Sequence, residues 1–309
     1  MQAKRIHFFD RYAPNTSIIG IAEIWEGAIE CAARLKFGPW VLVSIQGQKV
    51  PNDPRDNAMH GAQGEADRMK NIPGYRRNYP GTQPRHLHPP YVSSLKRAPQ
   101  HPLVALPHTL SEITGPVFES EIVDVKACDL TRQHSGEPLG ERIIVSGRVL
   151  DENSRPVPRT LVEIWQANAA GRYLHSRDQH NAPLDSNFTG CGQAVTDSEG
   201  RYRFVTIRPG EYPWGNHYNA WRPAHIHFSL FGPAFATRLV TQMYFQGDPL
   251  IPFDPIFHCT DDEKARNRLV SQFDWETTVP LEALGYRFDI ILSGRESTPM
   301  ETHSHGEKS

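Results

Sequence analysis

The chain has 309 residues and a formal net charge of −2 at pH 7, a balance that argues against a nucleic-acid polyanion as partner. Hydrophobic residues make up only 38%, while 26 Pro and 23 Gly together are about one residue in six, which favours a loop-rich β protein over a helical bundle. No run of 18 apolar residues spans a membrane and no basic-then-apolar leader opens the chain, so a cytoplasmic protein is expected.

Residues 1–70 differ from the rest and read as an N-terminal extension of uncertain status. Residues 18–35 have the pattern of an amphipathic helix and 40–44 that of a short strand, and Met59 or Met69 would serve as alternative starts. Residues 71–108 are rich in Pro, Arg and Tyr and predict an extended arm laid on another surface. From 109 to 295 the signals turn β. Segments 142–150, 161–167, 201–207, 224–231, 238–245 and 286–292 are β-branched or alternating, and the stretches 151–158 and 195–200 have turn composition. Such spacing predicts an all-β sandwich of mainly antiparallel strands with long loops. One short C-terminal helix is expected over 262–273, with Thr260 and Glu263 as its capping box and Leu269, Val270 and Phe273 as its apolar stripe. Residues 296–309 read as a disordered tail.

The chemistry concentrates in WRPAHIHFS, residues 221–229. On a strand, His225 and His227 point to one face about 7 Å apart, the spacing of half a metal site. His-x-His also occurs at His86/His88 and His303/His305, but no strand surrounds either pair, so spacing alone distinguishes none of the three. Tyr212, in EYPW upstream, reads either as a further ligand or as a turn aromatic capping the core. A phenol must lose a proton to ligate, which a strongly Lewis-acidic ion such as Fe(III) can drive. Zn(II) prefers His and Cys, and no Cys lies near the motif. Two Tyr with two His would bring two negative charges and favour Fe(III) over Fe(II). Arg222 is either a cation for an anionic substrate or a strand-entry residue reaching solvent. Trp214 and Trp221 either wall a pocket or fill core, and Gln242 either reaches the site or bonds backbone. Cys31, Cys128, Cys191 and Cys259 are scattered without C-x-x-C and read as free thiols. Dinucleotide, Walker A, nucleophile-elbow and H-E-x-x-H motifs are absent.

Several stretches together resemble the intradiol ring-cleavage dioxygenases: WQANAAGRY (165–173), PGEYPW (209–214), WRPAHIH (221–227) and QMYFQGDPLIP (242–252). TLSEITGP (109–116), GERIIV (140–145) and YRFDI (286–290) add to the likeness, which covers roughly 85–295. The branch most resembled is the iron-bearing beta chains that act on protocatechuate (3,4-dihydroxybenzoate). The resemblance implies Fe(III) held by Tyr173, Tyr212, His225 and His227 together with a hydroxide. It also implies Arg222 beside the substrate ring, where it stabilises a carbanion-like form of the catechol. Trp214, Gln242 and Ile256 become pocket residues, and Tyr91 lies near the substrate carboxylate. Tyr212 leaves the metal as a catechol dianion chelates it, and acts as a base. The implied reaction cleaves protocatechuate with O2 between the hydroxyl-bearing carbons to 3-carboxy-cis,cis-muconate. A homologous alpha chain lacking the ligands is the implied partner in a hetero-oligomer, with the arm fitted to wrap it. Residues 1–70 match nothing in that family. Two rivals stand beside this reading: intradiol cleavage of another catechol or hydroxyquinol, and a non-catalytic transthyretin-like module, which 145–158, 196–204 and 209–210 also resemble.

Overall fold

The computed structural model describes residues 78–101, 123–232 and 239–301. In chain order its strands are β1 (Arg142–Leu150), β2 (Leu161–Gln166), β3 (Cys191–Val195), β4 (Arg201–Ile207), β5 (Tyr212–Pro213) and β6 (Trp221–Arg222). They are followed by β7 (His225–Phe231), β8 (Leu239–Phe245), β9 (Val270–Phe273), β10 (Leu284–Arg287) and β11 (Ile290–Ile291). The turns that set β2 and β4 are built by aspartates. Asp151 accepts from the N–H of Asn153 and Arg155 at 2.8 and 2.9 Å, and Asp197 from Glu199 and Arg201 at 2.9 and 2.8 Å. A short acidic side chain thereby replaces the strand partner that the backbone loses in the turn.

Among the described residues nine strands form one sheet in the order β11-β1-β10-β9-β8-β7-β2-β3, with β4 on β1. β1–β4, β2–β3, β2–β7, β7–β8 and β9–β10 are antiparallel, while β1–β10, β1–β11 and β8–β9 are parallel. β3 returns alongside β4, so the sheet nearly closes on itself. The expected all-β class and the antiparallel majority hold. Val145, Phe204 and Ile207 on one side meet Val162, Ile164, Ile226, Phe228, Leu230 and Met243 on the other in a single core. At about 1.5–3 kcal/mol for each large apolar side chain removed from water, this layer is the rigid footing of everything placed on it.

β7 is buried along six of its seven residues. Ile226, Phe228 and Leu230 enter the core, so period two puts His225, His227 and Ser229 on the opposite face. That face is covered by loops and by both flanking segments of the chain. In the arm, Arg85 N–H bonds Cys259 O at 2.9 Å, Pro84 bridges to Thr260, and helix α1 (Ser93–Arg97) follows. Asn216 clamps the arm from both sides, accepting from Val92 N–H and donating to Pro90 O, each at 2.8 Å. The described arm therefore lies on its own chain.

Three expectations need correction. The helix predicted over 262–273 is only α2 (Glu263–Asn267), capped by the Asp262 side chain on Ala265 N–H and not by Thr260. Val270–Phe273 is a strand, because the edge of β8 offers Tyr244 and Phe245 as partners to Val270 and Ser271. The tail expected to be disordered from 296 is packed as far as Glu301, with Ser297, Thr298 and Glu301 all buried. Among the described cysteines, Cys128 and Cys259 remain thiols outside any disulfide, as expected, but Cys191 is disulfide-bonded. The expectations for 1–70, for TLSEITGP at 109–116 and for His303/His305 lie outside the described residues. Among the described residues no helix is long and apolar enough to cross a membrane.

Candidate metal centre

Three separate pieces of backbone deliver four donor atoms to one place. The imidazoles come from β7, with ring centroids 4.9 Å apart. Tyr212 comes from the β5–β6 ribbon, where it sits directly opposite Arg222. Tyr173 comes from the loop after β2, which Asn168 organises by accepting from Ala170 and Arg172 N–H and donating to Pro183 O. Asp178 then fixes Tyr173 through its backbone N–H at 2.7 Å. Gly171, at φ 76°, presses against Glu211 O where a Cβ would have no room, so the two tyrosine-bearing loops meet backbone to backbone.

Tyr173 Oη lies 3.2 Å from His227 Nε2, and Tyr212 Oη 3.3 Å from His225 Nε2. The two phenols pack edge to face at 5.4 Å. His225 Nδ1 donates to Pro223 O at 2.7 Å, and His227 Nδ1 pairs with Glu301 at 2.9 Å. With Nδ1 of each ring committed to an oxygen, each Nε2 is left facing a phenol. Burial, together with Arg222 and His227, holds His225 well below its ordinary value, so it stays neutral. Burial alone would raise the Glu301 carboxyl, but His227 and Arg222 hold it below the usual range. Trp165 stacks on His227 at 4.8 Å and 4°, fixing the ring plane.

These donors fit a single cation. At about 2.1 Å from each nitrogen, neighbouring ligands at angles of roughly 90–105° lie about 3.0–3.3 Å apart, the spacing seen here. Among the described residues no group of three or more His, Cys, Asp or Glu side chains is placed to hold a metal ion; the donors gathered here are two phenols and two imidazoles. Burial raises both phenols, Tyr173 well above its ordinary value. They are neutral without a metal, and only a strongly Lewis-acidic ion would take them as tyrosinates.

Beside the donors lies a buried cation. Arg222 donates through Nη2 to Gln242 Oε1 at 2.5 Å, to Tyr244 Oη at 3.1 Å and to Asp254 Oδ2 at 3.2 Å, and its Nε also reaches Asp254. Nη1 makes no hydrogen bond among the described residues. Burial opposes this charge, but Asp254 and Tyr244 outweigh it, so Arg222 remains a cation. Its guanidinium lies 5.5 Å from the Trp214 ring centroid, and Trp214 packs with Tyr91, Ile256 and Cys259. Burial pushes the Tyr91 phenol up to about 12, which keeps it a neutral donor. Trp214 Nε1 is buried without a partner among the described residues, an unspent donor in this wall.

The structure thus brings together Tyr91, Tyr173, Tyr212, Trp214, Arg222, His225, His227, Gln242 and Ile256. Trp221, the other tryptophan of the sequence reading, is exposed and contacts His180 instead. His86 is exposed and His88 half-buried on the arm, apart from the four donors. Asp254 and Glu301 were missed. DPIF at 254–257 carried no metal or charge signal, and Glu301 sits in a polar segment that composition assigns to disorder.

An all-β chain that converges two phenols and two imidazoles beside a buried guanidinium has the ligand set of a mononuclear metal enzyme. The comparisons agree with that class. A family model described as "Dioxygenase" matches residues 113–294, and one described as "Protocatechuate 3,4-dioxygenase beta subunit N terminal" matches 75–109. The protocatechuate 3,4-dioxygenase beta chain of Burkholderia cepacia is 59% identical over 227 residues, covering 73% of this chain and 96% of that one. Catechol 1,2-dioxygenase of Candida albicans is 31% identical over 201 residues, 60% of this chain and 62% of its own length. The protocatechuate 3,4-dioxygenase alpha chain of Pseudomonas putida is 28% identical over 209 residues, 64% of this chain and 97% of its own. The chain belongs to the intradiol ring-cleavage dioxygenase family.

Proposed function

We propose that the protein is the iron-bearing beta chain of an enzyme that cleaves protocatechuate with O2 between its hydroxyl-bearing carbons, giving 3-carboxy-cis,cis-muconate. The observation that carries this reading is the convergence of Tyr173, Tyr212, His225 and His227, with both Nε2 atoms facing the phenols and both Nδ1 atoms committed to oxygens. The 59% identity to the Burkholderia cepacia beta chain supports the choice of substrate. Those four residues would hold Fe(III), which when bound supplies the Lewis acidity that keeps the phenols ionised and draws electron density from a bound catecholate. Tyr212, as a phenolate, would accept a phenolic proton at Oη. Arg222 would hold its charge against the electron-rich ring through its uncommitted Nη1. Tyr91, Trp214 and Ile256 would wall the ring, and Gln242 would keep Arg222 aimed by accepting from Nη2. A homologous alpha chain, as the resemblance to the Pseudomonas putida protein supports, would complete the assembly.

The test is oxygen uptake by the chain co-produced with its alpha partner, using protocatechuate, catechol and hydroxyquinol in parallel. Protocatechuate should be consumed fastest, by a protein coloured burgundy by tyrosinate-to-iron charge transfer. Preference for catechol or hydroxyquinol would reassign the substrate, and a colourless complex that retains iron would refute the ligand set.

A further inference from the structure

The two histidines of the centre are not held alike. His225 leans on a backbone carbonyl, Pro223 O, whereas His227 leans on a side chain, Glu301, whose carboxylate is 1% exposed and 2.9 Å from Nδ1. Glu301 lies 74 positions further along the chain, and nothing about it is incidental to the fold. Its backbone N–H bonds Val240 O at 2.7 Å. Thr241 Oγ1 donates to Pro299 O at 2.7 Å, Met300 N–H reaches Gln83 Oε1 at 2.8 Å, and Thr298 N–H bonds Ile291 O at 2.8 Å. The segment from Ser297 to Glu301 is therefore fastened to β8, β11 and the arm. It ends with a buried acid against one donor ring.

We propose that Glu301 is a positioning residue of the metal centre, whose carboxylate orients His227 and makes it the more electron-rich of the two nitrogen donors. A carboxylate accepting Nδ1–H locks the tautomer and raises the basicity of Nε2. A carbonyl does the first of these and less of the second. Trp165 fixes the ring plane on one face, so Glu301 sets the remaining freedom, rotation within that plane. The inference rests on the metal reading above, and goes beyond it by assigning a residue outside the four donors.

The experiment uses the full chain with its alpha partner and three substitutions. Glu301→Gln keeps an acceptor but removes the charge, Glu301→Asp keeps the charge, and Glu301→Ala removes both. Iron retention against a chelator should fall about 10–100-fold in Glu301→Ala and by less in Glu301→Gln, with Glu301→Asp nearest the parent. In Glu301→Gln the charge-transfer band should move to longer wavelength and the Fe(III)/Fe(II) midpoint should rise, because a less electron-rich iron is more easily reduced. A merely structural role would not order these shifts by charge. Parent-like iron retention, band and midpoint in Glu301→Ala would overturn the proposal. Solid-state 15N NMR of the metal-free, histidine-labelled protein gives a second readout, independent of iron. His227 should carry its proton on Nδ1 in the parent and lose that preference in Glu301→Ala. A proton on Nε2 in the parent overturns the inference whether or not iron binds, whereas a parent complex that takes up no iron overturns only the metal reading.

Discussion

Removing Asp254 tests how the buried cation of the site is kept. Arg222 and Asp254 have side-chain exposures of 3% and 0%, so neither charge is screened by water. Asp254 Oδ2 accepts from Arg222 and from Tyr244 Oη, and Oδ1 accepts from Ile256 N–H at 3.0 Å. In Asp254→Ala the guanidinium would lose its directly bonded carboxylate and keep only Gln242 and Tyr244 as hydrogen-bond partners. Breaking one side of a buried pair costs about 3–5 kcal/mol. At roughly 2–4 °C per kcal/mol for a domain of this size, the thermal midpoint should fall by about 6–20 °C. Asp254→Asn preserves shape and part of the bonding and should lose less. The double change Arg222→Met with Asp254→Leu removes both charges and should regain most of the midpoint, since apolar replacement of a buried pair is often neutral, while ring cleavage stays lost. The assay is thermal unfolding of metal-free protein by tryptophan fluorescence at fixed protomer and partner concentration. A midpoint within about 2 °C of the parent in Asp254→Ala, on the same scale, would refute the reasoning. So would a double variant no more stable than Asp254→Ala.

Two further expectations concern the tyrosine loops. Tyr173→Phe should abolish most of the visible band and lower iron retention while leaving far-UV circular dichroism unchanged; full colour and activity would show that Tyr173 is not a ligand. Gly171→Ala places a Cβ against Glu211 O at positive φ, a strain of about 1–3 kcal/mol. It should lower the thermal midpoint and weaken iron retention together, because the same contact sets the spacing of Tyr173 and Tyr212; unchanged iron retention would separate the two.

What the sequence disclosed tracks how local the signal was. Strands β1 and β4 were legible to the residue, because β-branched runs are bounded by aspartate turns that work within four positions. The histidine pair was legible for the same reason, since a two-residue period on one strand is a local property. The helix over 262–273 was overread. Leu269, Val270 and Phe273 satisfy a helical stripe, and only the free edge of β8 (a partner far away in sequence) makes 270–273 a strand. Glu301 and Asp254 were invisible because their partners lie 74 and 32 positions away, and no local period marks either position. Tyr173, Tyr91 and Ile256 entered through family likeness alone, and the fold brings each to the same neighbourhood as the histidines.

The arm has a consequence for how such a protein can diversify. Tyr91 reaches the pocket wall from a stretch held by its own fastenings, Asn216 on Val92 and Pro90 and Cys259 on Arg85. Asn216 itself lies in the turn of the β5–β6 ribbon that carries Tyr212, and Gln83 of the arm holds Met300, the neighbour of Glu301. Drift in residues 78–101 therefore reaches the pocket wall and the supports of the donors through the same bonds. In this architecture selectivity and metal retention are inherited together.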